Sequence, residues 1–444
     1  MEKVQQELAS LAQHMIERAG QEKAEAKVAT SASVERRLVI ENGEFTLANT
    51  LESQSIGCVV HKDQKKGSAS TNITSPAEVD RALSHALSLA SFSVEDAALN
   101  FVPGEDAPTS KALPFMVDPK LAAMNLTGIK DLMSQFLAAL TRDPRICLDR
   151  FEMSVGVSHH RLMNSLGVNQ AEDQTMLSWS YLGMARDGEE VSGMDYSGGF
   201  SFSASGFMER ALSDIDAFVT KLVGQLHPQR SPTYTGPVIL SPRAVEEILI
   251  SNLLYHAMGR SVMDKKSRWD KSIGSRVVSE KFTLSDNPHD HNLQGATAFD
   301  GDGIPTRRIA LIENGVLKTH LHDCYSARRC GVKPTATSGA PFALHIAPGQ
   351  QRLSDMVRAR KEILFVDRFS GNADPLTGNF SGVAKGSRLI VDGEDRGGVT
   401  ETMIAGNVFT LANEILAIQD SVENLAGHIL APSILVDGVS VSGA

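Results

Sequence analysis

Apolar residues recur along this chain at two spacings, and the switches between them lay out most of its predicted elements. Val4, Leu8, Leu11 and Met15 repeat at the helical interval and Gly20 follows, which predicts an opening amphipathic helix ended by glycine. From Arg37 to Leu47 the pattern alternates instead. Glu41-Asn42-Gly43 at its middle predicts a hairpin with a two-residue turn, whose central positions both need positive φ. Ser55 to His61 reads as a further strand. Ser75-Pro76-Ala77-Glu78 then combines a capping hydroxyl, a first-turn proline and a glutamate three residues past the cap, so a helix is predicted to start there. Val79, Leu83, Ala86, Leu87 and Ala90 form its apolar stripe.

Proline, glycine and aspartate between Val102 and Pro119 mark a surface loop, and Ile129, Leu132, Met133, Phe136 and Leu140 predict the next helix. Phe151 to Phe202 alternates as an antiparallel meander, with a corner at Arg186-Asp187-Gly188, and Leu212 to Val223 predicts a long helix. Pro228, Pro232 and Pro237 crowd the next few residues, which sets the expected domain boundary and divides the chain into 1–227 and 228–444. Beyond it come a strand at Pro237–Leu240 and a helix from Ser241-Pro242 carrying Val245, Ile248, Leu249, Leu253 and His256. Strands are predicted at Ile363–Asp367, Gly386–Val391 and Ile434–Val441. The fold class is α+β in two domains: an N-terminal helix-on-sheet domain and a C-terminal domain rich in antiparallel sheet.

The stretch from Phe299 to Gly331 is the densest in reactive side chains. Asp300 and Asp302 open it, and Ile309–Ile312, Glu313-Asn314-Gly315 and Val316-Leu317 predict a second Asn-Gly hairpin. If the return strand continues, His320, His322 and Cys324 fall at i, i+2 and i+4 on one face, with Cys330 six residues on. Two imidazoles and a thiol on one face suit a soft divalent metal. The same residues also suit half-exposed histidines and a thiol packed as a small hydrophobe. Asp286, His289, Asp290 and His291 form a second acid and imidazole cluster, equally readable as a solvated turn. No phosphate-binding P-loop, glycine-rich dinucleotide fingerprint, nucleophile elbow or His-Glu-x-x-His pair occurs.

At 444 residues the chain exceeds one ordinary core, and its net charge of -10 argues against a nucleic-acid partner held through phosphates. Four cysteines provide no disulfide framework, and neither a signal-peptide core nor an apolar run of membrane-spanning length is present. A cytoplasmic protein is the expectation.

In order along the chain, several of these motifs resemble the TldD/PmbA family, and within it the PmbA (TldE) branch. They are Glu41-Asn-Gly43 and Lys66-Gly-Ser-Ala-Ser70, then Asp302-Gly-Ile-Pro-Thr-Arg-Arg308, Leu311-Ile-Glu-Asn-Gly315, Leu321-His-Asp323 and Tyr325-Ser-Ala-Arg328. Thr377-Gly-Asn-Phe-Ser381, Ile404-Ala-Gly-Asn407 and Pro432-Ser433 continue the series.

The resemblance implies a two-domain α+β protein that pairs with a relative, the TldD-type subunit being a zinc peptidase acting on extended peptides. There a helix carries His-Glu-x-x-x-His, with a Cys ligand nearer the C-terminus. The positions that correspond here are Ile250, Ser251 and Tyr255, and no Cys follows Cys330. Isoleucine has no lone pair for zinc, and serine cannot serve as a carboxylate base. The expectation is therefore a subunit without catalytic or metal residues of its own. It would be a dimer partner and peptide-channel wall, with zinc in a TldD-like partner and an extended peptide as substrate. Two alternatives stand beside it: an autonomous metal-dependent hydrolase using His320, His322 and Cys324 or the Asp286 to His291 loop, and a homodimeric binding or scaffold protein of the gyrase-modulator type. Neither membrane nor direct nucleic-acid contact is expected.

Overall fold

In a computed structural model of the chain, residues 2–443 other than 359 and 401 are described. The first half is built on one sheet of seven strands in the order β3-β2-β1-β4-β5-β6, with β7 also paired to β5. β1 (Glu25–Glu41), β2 (Glu44–Lys62), β4 (Ile146–Asn164) and β5 (Asn169–Asp187) are long. β3 (Lys65–Thr71), β6 (Glu190–Val191) and β7 (Asp195–Ser201) are short. The first Asn-Gly turn forms as its residue types require, with φ of 48° at Asn42 and 82° at Gly43. The strand expected at Ser55–His61 is not separate: it is the second half of β2, which runs unbroken from the hairpin. His159 and His160 lie well inside β4, and His159 is buried.

Side-chain alternation gives this sheet two different faces. Ala26, Val28, Leu38 and Ile40 of β1 point to the same side as Phe151, Met153 and Met163 of β4. Four helices cover that side: α1 (Glu2–Gln21) and α2 (Pro76–Phe92) at one end, α4 (Leu126–Leu140) and α5 (Met208–Gly224) at the other. The short helix α3 (Pro119–Ala123) leads into α4. α2 starts where the capping chemistry predicts, with the Ser75 hydroxyl accepting from the Glu78 N–H. The other face carries Lys27, Glu152, Ser154, His160, Glu172 and Ser178, and turns toward the second half of the chain.

From Gln229 onward the strands belong to two other sheets, of ten and six strands. Most pairs are antiparallel, but three among the described strands are parallel, including Glu362–Val366 beside Tyr234–Leu240. One large core fills this half, in which Val238, Ile248, Leu249, Leu311, Leu364 and Ile434 are fully buried. Residues 242–257 run as one helix: an α turn at Pro242–Ala244, a π segment at Val245–Ile250 and an α stretch at Ser251–Ala257.

The Asp-Gly-Asp-Gly loop joins the halves. Lys27 Nζ donates to the Gly301 carbonyl at 2.7 Å and to Asp302 at 3.0 Å, and the Gln170 amide donates to the Gly303 carbonyl at 3.0 Å. Glu172 accepts from the Ala298 N–H at 2.7 Å. Gly303 has φ of 85°, and a Cβ there would lie 2.5 Å from Val168 Cγ1, so the contact needs glycine. Within the loop the Asp300 carboxylate accepts the N–H groups of Asp302, Ile304 and Ser338. Burial, with Asp302 beside it, pushes the Asp300 carboxyl up. At Asp302 burial acts in the same direction but is outweighed by the Lys27 ammonium and the Cys324 N–H, so its carboxyl sits below the usual range.

Candidate functional site: the cleft between the halves

The polar sheet face and the 242–257 helix border a cleft of about 1400 Å³. Ser178, Ser180 and Tyr196 line it from the sheet, Asp214 and Lys221 from α5, and Arg243, Glu246, Glu247 and Ser251 from the helix. Gln294, Asp367, Glu423 and His428 close the far side.

An ionic cluster holds one edge of the cleft. Asp195, at the start of β7, is 4% exposed and pairs with Lys221, with Arg243 at 3.2 Å and with Arg368 at 3.3 Å. Asp367 meets the same Lys221 at 3.2 Å. Burial alone would raise the Asp195 carboxyl, but the three cations outweigh it and hold it below the ordinary carboxylate range. The Tyr196 ring lies against both guanidiniums, 4.5 Å from Arg243 and 5.5 Å from Arg368. Because the five charges come from both halves of the chain, the cluster fixes the width of the cleft.

Among the described residues, four other acids of the cleft have no ion-pair partner. Burial raises the carboxyls of Glu246, Glu247, Asp214 and Glu423, the last helped by Asp367 and Asp214. Glu247 still accepts the Phe369 N–H at 2.5 Å. Chemically, the cleft offers partly exposed carboxyls, hydroxyls and amides, which bind polar chains and ammonium groups.

The three positions that correspond to the family's zinc helix do not form a ligand set. Ile250 is 2% exposed and packs into the core, while the Ser251 hydroxyl donates to the Glu246 carbonyl at 2.8 Å. Tyr255 is half-buried, edge-on to His256 with ring centroids 5.3 Å apart. His256, the helix's imidazole, is fully buried: its Nδ1 accepts the Arg268 N–H at 3.1 Å, so its Nε2–H donates to the Pro375 carbonyl at 2.8 Å. Both nitrogens are therefore engaged in holding loops. Zinc does not fit these residues, and among the described residues no three His, Cys, Asp or Glu side chains converge in a metal-binding group.

The trio His320, His322 and Cys324 does not share a strand face. The return strand stops at Leu317, and Cys324 begins a new helix, Cys324–Cys330, capped by Asp323 accepting the Ser326 N–H at 2.7 Å. His320 Nε2 bonds the Trp269 carbonyl at 2.9 Å, and His322 Nδ1 meets the Ser326 hydroxyl at 3.2 Å. Cys324 is buried against Asp302. Burial first, then the neighbouring Asp302 and Asp300 charges, drive its thiol far above the ordinary range, which leaves it protonated and a poor ligand or nucleophile. The second cluster is also dispersed: Asp286 accepts the Phe342 and Ala343 N–H groups, His289 bonds Thr306, and Asp290 bonds Asn292.

Three family models cover most of the chain in order: PmbA/TldA metallopeptidase domain 1 at residues 26–90, the central domain at 119–226 and the C-terminal domain at 233–443. The chain belongs to the TldD/PmbA family. Its likeness is to the PmbA branch: it is 27% identical to a metalloprotease PmbA homolog of Haemophilus influenzae, over 99% of this chain and 97% of that one. It is also 27% identical to metalloprotease PmbA of Escherichia coli O157:H7, over 91% and 88%. The crystal structure of TldE from Thermococcus kodakarensis shares the fold, with a TM-score of 0.85 and 21% identity over 98% of this chain and 100% of that one.

Within this TldD/PmbA framework, the Asp-Gly-Asp-Gly loop is the joint between the halves. The ionic cluster and the other acids of the cleft were invisible in the sequence, because Asp195, Lys221, Arg243, Arg368 and Glu423 are far apart in the chain. The one available signal was Glu246-Glu247, two acids beside the apolar stripe of a buried helix.

Proposed function

We propose that this chain is the zinc-free, PmbA/TldE-type subunit of a cytoplasmic TldD-type metallopeptidase complex that processes or degrades extended peptides. The observation that carries the reading is the 242–257 helix. In a family of metallopeptidases, its key positions hold a core isoleucine, a serine bonded to its own helix and a half-buried tyrosine, while the cleft beside it remains open and polar. The TldD-like partner supplies zinc and the activated water. This chain supplies one wall of the peptide channel: the serines of β5 and the carboxyls of Glu246 and Glu247 hold the polar groups of a substrate chain, and the Asp195 cluster keeps the wall rigid.

Expression of the chain with and without a TldD-like relative, followed by size measurement, zinc analysis and peptidase assay, tests this. The proposal expects no stoichiometric zinc and no activity from the chain alone, and a zinc-loaded, active complex with the relative. Stoichiometric zinc and chelator-sensitive peptidase activity from the chain alone would overturn it.

A further inference from the structure

A second cavity, of about 650 Å³, opens at the corner where β1, β2 and β3 meet the loop after α2 and the helix Cys324–Cys330. Its size is within the roughly 300–1,000 Å³ of ligand clefts. Lys27, Val59, His61, Lys66 and Ser68 share its floor, because the strand register sets Lys27 opposite Val59, Val59 opposite Ser68 and His61 opposite Lys66. The His61 ring lies flat on Phe101 with centroids 4.0 Å apart, which holds it in place. Leu89 and Val94, 43% and 87% exposed, form an apolar lip.

The acids lining this cavity are all engaged. Asp302 pairs with Lys27 at 3.0 Å and accepts the Cys324 N–H, while Asp323 pairs with Arg260 at 3.0 Å and caps its helix. Asp96 accepts from the Tyr325 hydroxyl at 2.6 Å and from the Ala98 N–H at 2.9 Å. Lys62 and Lys65 pair with Glu22 and Glu95, but Lys66 between them and the cavity has no acidic partner among the described residues. His61 is also unengaged: neither ring nitrogen makes a hydrogen bond among the described residues. Burial, then the Lys66 and Lys27 ammoniums, pull its imidazole down to about 4, so at pH 7 the ring is neutral with one N–H to give. The Asn100 amide oxygen, on the wall, lacks a partner as well.

We infer that this cavity binds the C-terminal residue of a peptide when that residue is apolar. The Lys66 ammonium and the His61 N–H hold its carboxylate, and Val59, Leu89 and Val94 hold its side chain. The Asn100 amide oxygen accepts the N–H of the same residue. A free aliphatic carboxylate would satisfy Lys66 but leave that oxygen without a donor, which favours a peptide. An ammonium ligand would find every carboxylate already engaged. The cavity shares no lining residue with the 1400 Å³ cleft, so the inference stands whether or not the proposed zinc-free role does.

Fluorescence anisotropy tests it, with the full chain alone and a fluorescein-labelled peptide Gly-Ser-Gly-Ala-Leu as free acid or C-terminal amide. The acid is expected to bind about tenfold tighter than the amide, which loses the charge-assisted hydrogen bonds, and to bind more weakly as salt rises. Lys66→Gln, at an exposed position, should lower the acid to the affinity of the amide, and Lys66→Arg should restore it. Val94→Glu should weaken the acid by placing a like charge on the lip. Circular dichroism of each variant should match the parent. No binding of the acid at millimolar concentration, equal affinity for acid and amide, or a Lys66→Gln or Val94→Glu chain that binds as the parent does would each overturn the inference. So would octanoate displacing the labelled peptide as readily as the unlabelled acid does.

Discussion

Replacing Asp195 by alanine would leave Lys221, Arg243 and Arg368 facing one another, with Asp367 still paired to Lys221 but neither guanidinium holding an ion-pair contact among the described residues. At about 3.3 Å and an effective dielectric near 20, each lost pair is worth roughly 5 kcal/mol of Coulomb energy, most of which desolvation already offsets. Stripping one partner from a buried cluster costs about 3–5 kcal/mol; because the three cations keep side-chain exposures of 20, 18 and 15%, the lower figure applies. The two tryptophans provide the assay, since Trp179 lies in the core under the N-terminal sheet and Trp269 in the C-terminal core. Urea unfolding of Asp195→Ala in Trp179→Phe and Trp269→Phe backgrounds reads each half separately, and a loss of about 3 kcal/mol at pH 7 is expected. The Asp195 carboxyl is held below its unfolded value, so its contribution is present above about pH 4 and fades as pH falls through the depressed native value. The penalty should therefore shrink in acid. An unfolding midpoint equal to that of the unsubstituted chain at pH 7, in both backgrounds, would refute the claim that this cluster holds the cleft.

Other expectations follow from the same geometry. Gly303→Ala combines positive φ with a clash against Val168 and Leu162, and should cost about 2–4 kcal/mol in thermal unfolding. Glu246→Gln acts in the opposite sense: burial raises this carboxyl, so its charged form weakens the fold as pH rises, and the variant should be more stable than the parent at pH 7 and equal to it below about pH 4. Alkylation followed by mass spectrometry should label exposed Cys147 first. Buried Cys58, pushed up to about 11, and Cys324 should label only on unfolding.

Much of the scaffold was legible in the sequence because local chemistry determined it. Both Asn-Gly turns formed with the expected positive φ, 48° and 82° at Asn42 and Gly43, 49° and 77° at Asn314 and Gly315. The helix starts at Ser75 and Ser241 also held, each with its serine accepting a backbone N–H three residues on. The metal trio failed for a local reason too. Alternation from Leu317 to Cys324 looked like a strand, but the strand stops at Leu317, and Asp323, three residues before Ser326, caps a helix that takes Cys324 off any strand face. What could not be read was the cleft. Its charges come from β7, α5, the 242–257 helix and the strand at Arg368–Ala373, and no short-range pattern records which of them meet.

The measurement that bears most directly on the account is zinc content and peptidase activity of the purified chain, alone and with a TldD-like relative. The account predicts metal and activity only when the relative is present. Stoichiometric zinc with chelator-sensitive activity in the chain alone would contradict it.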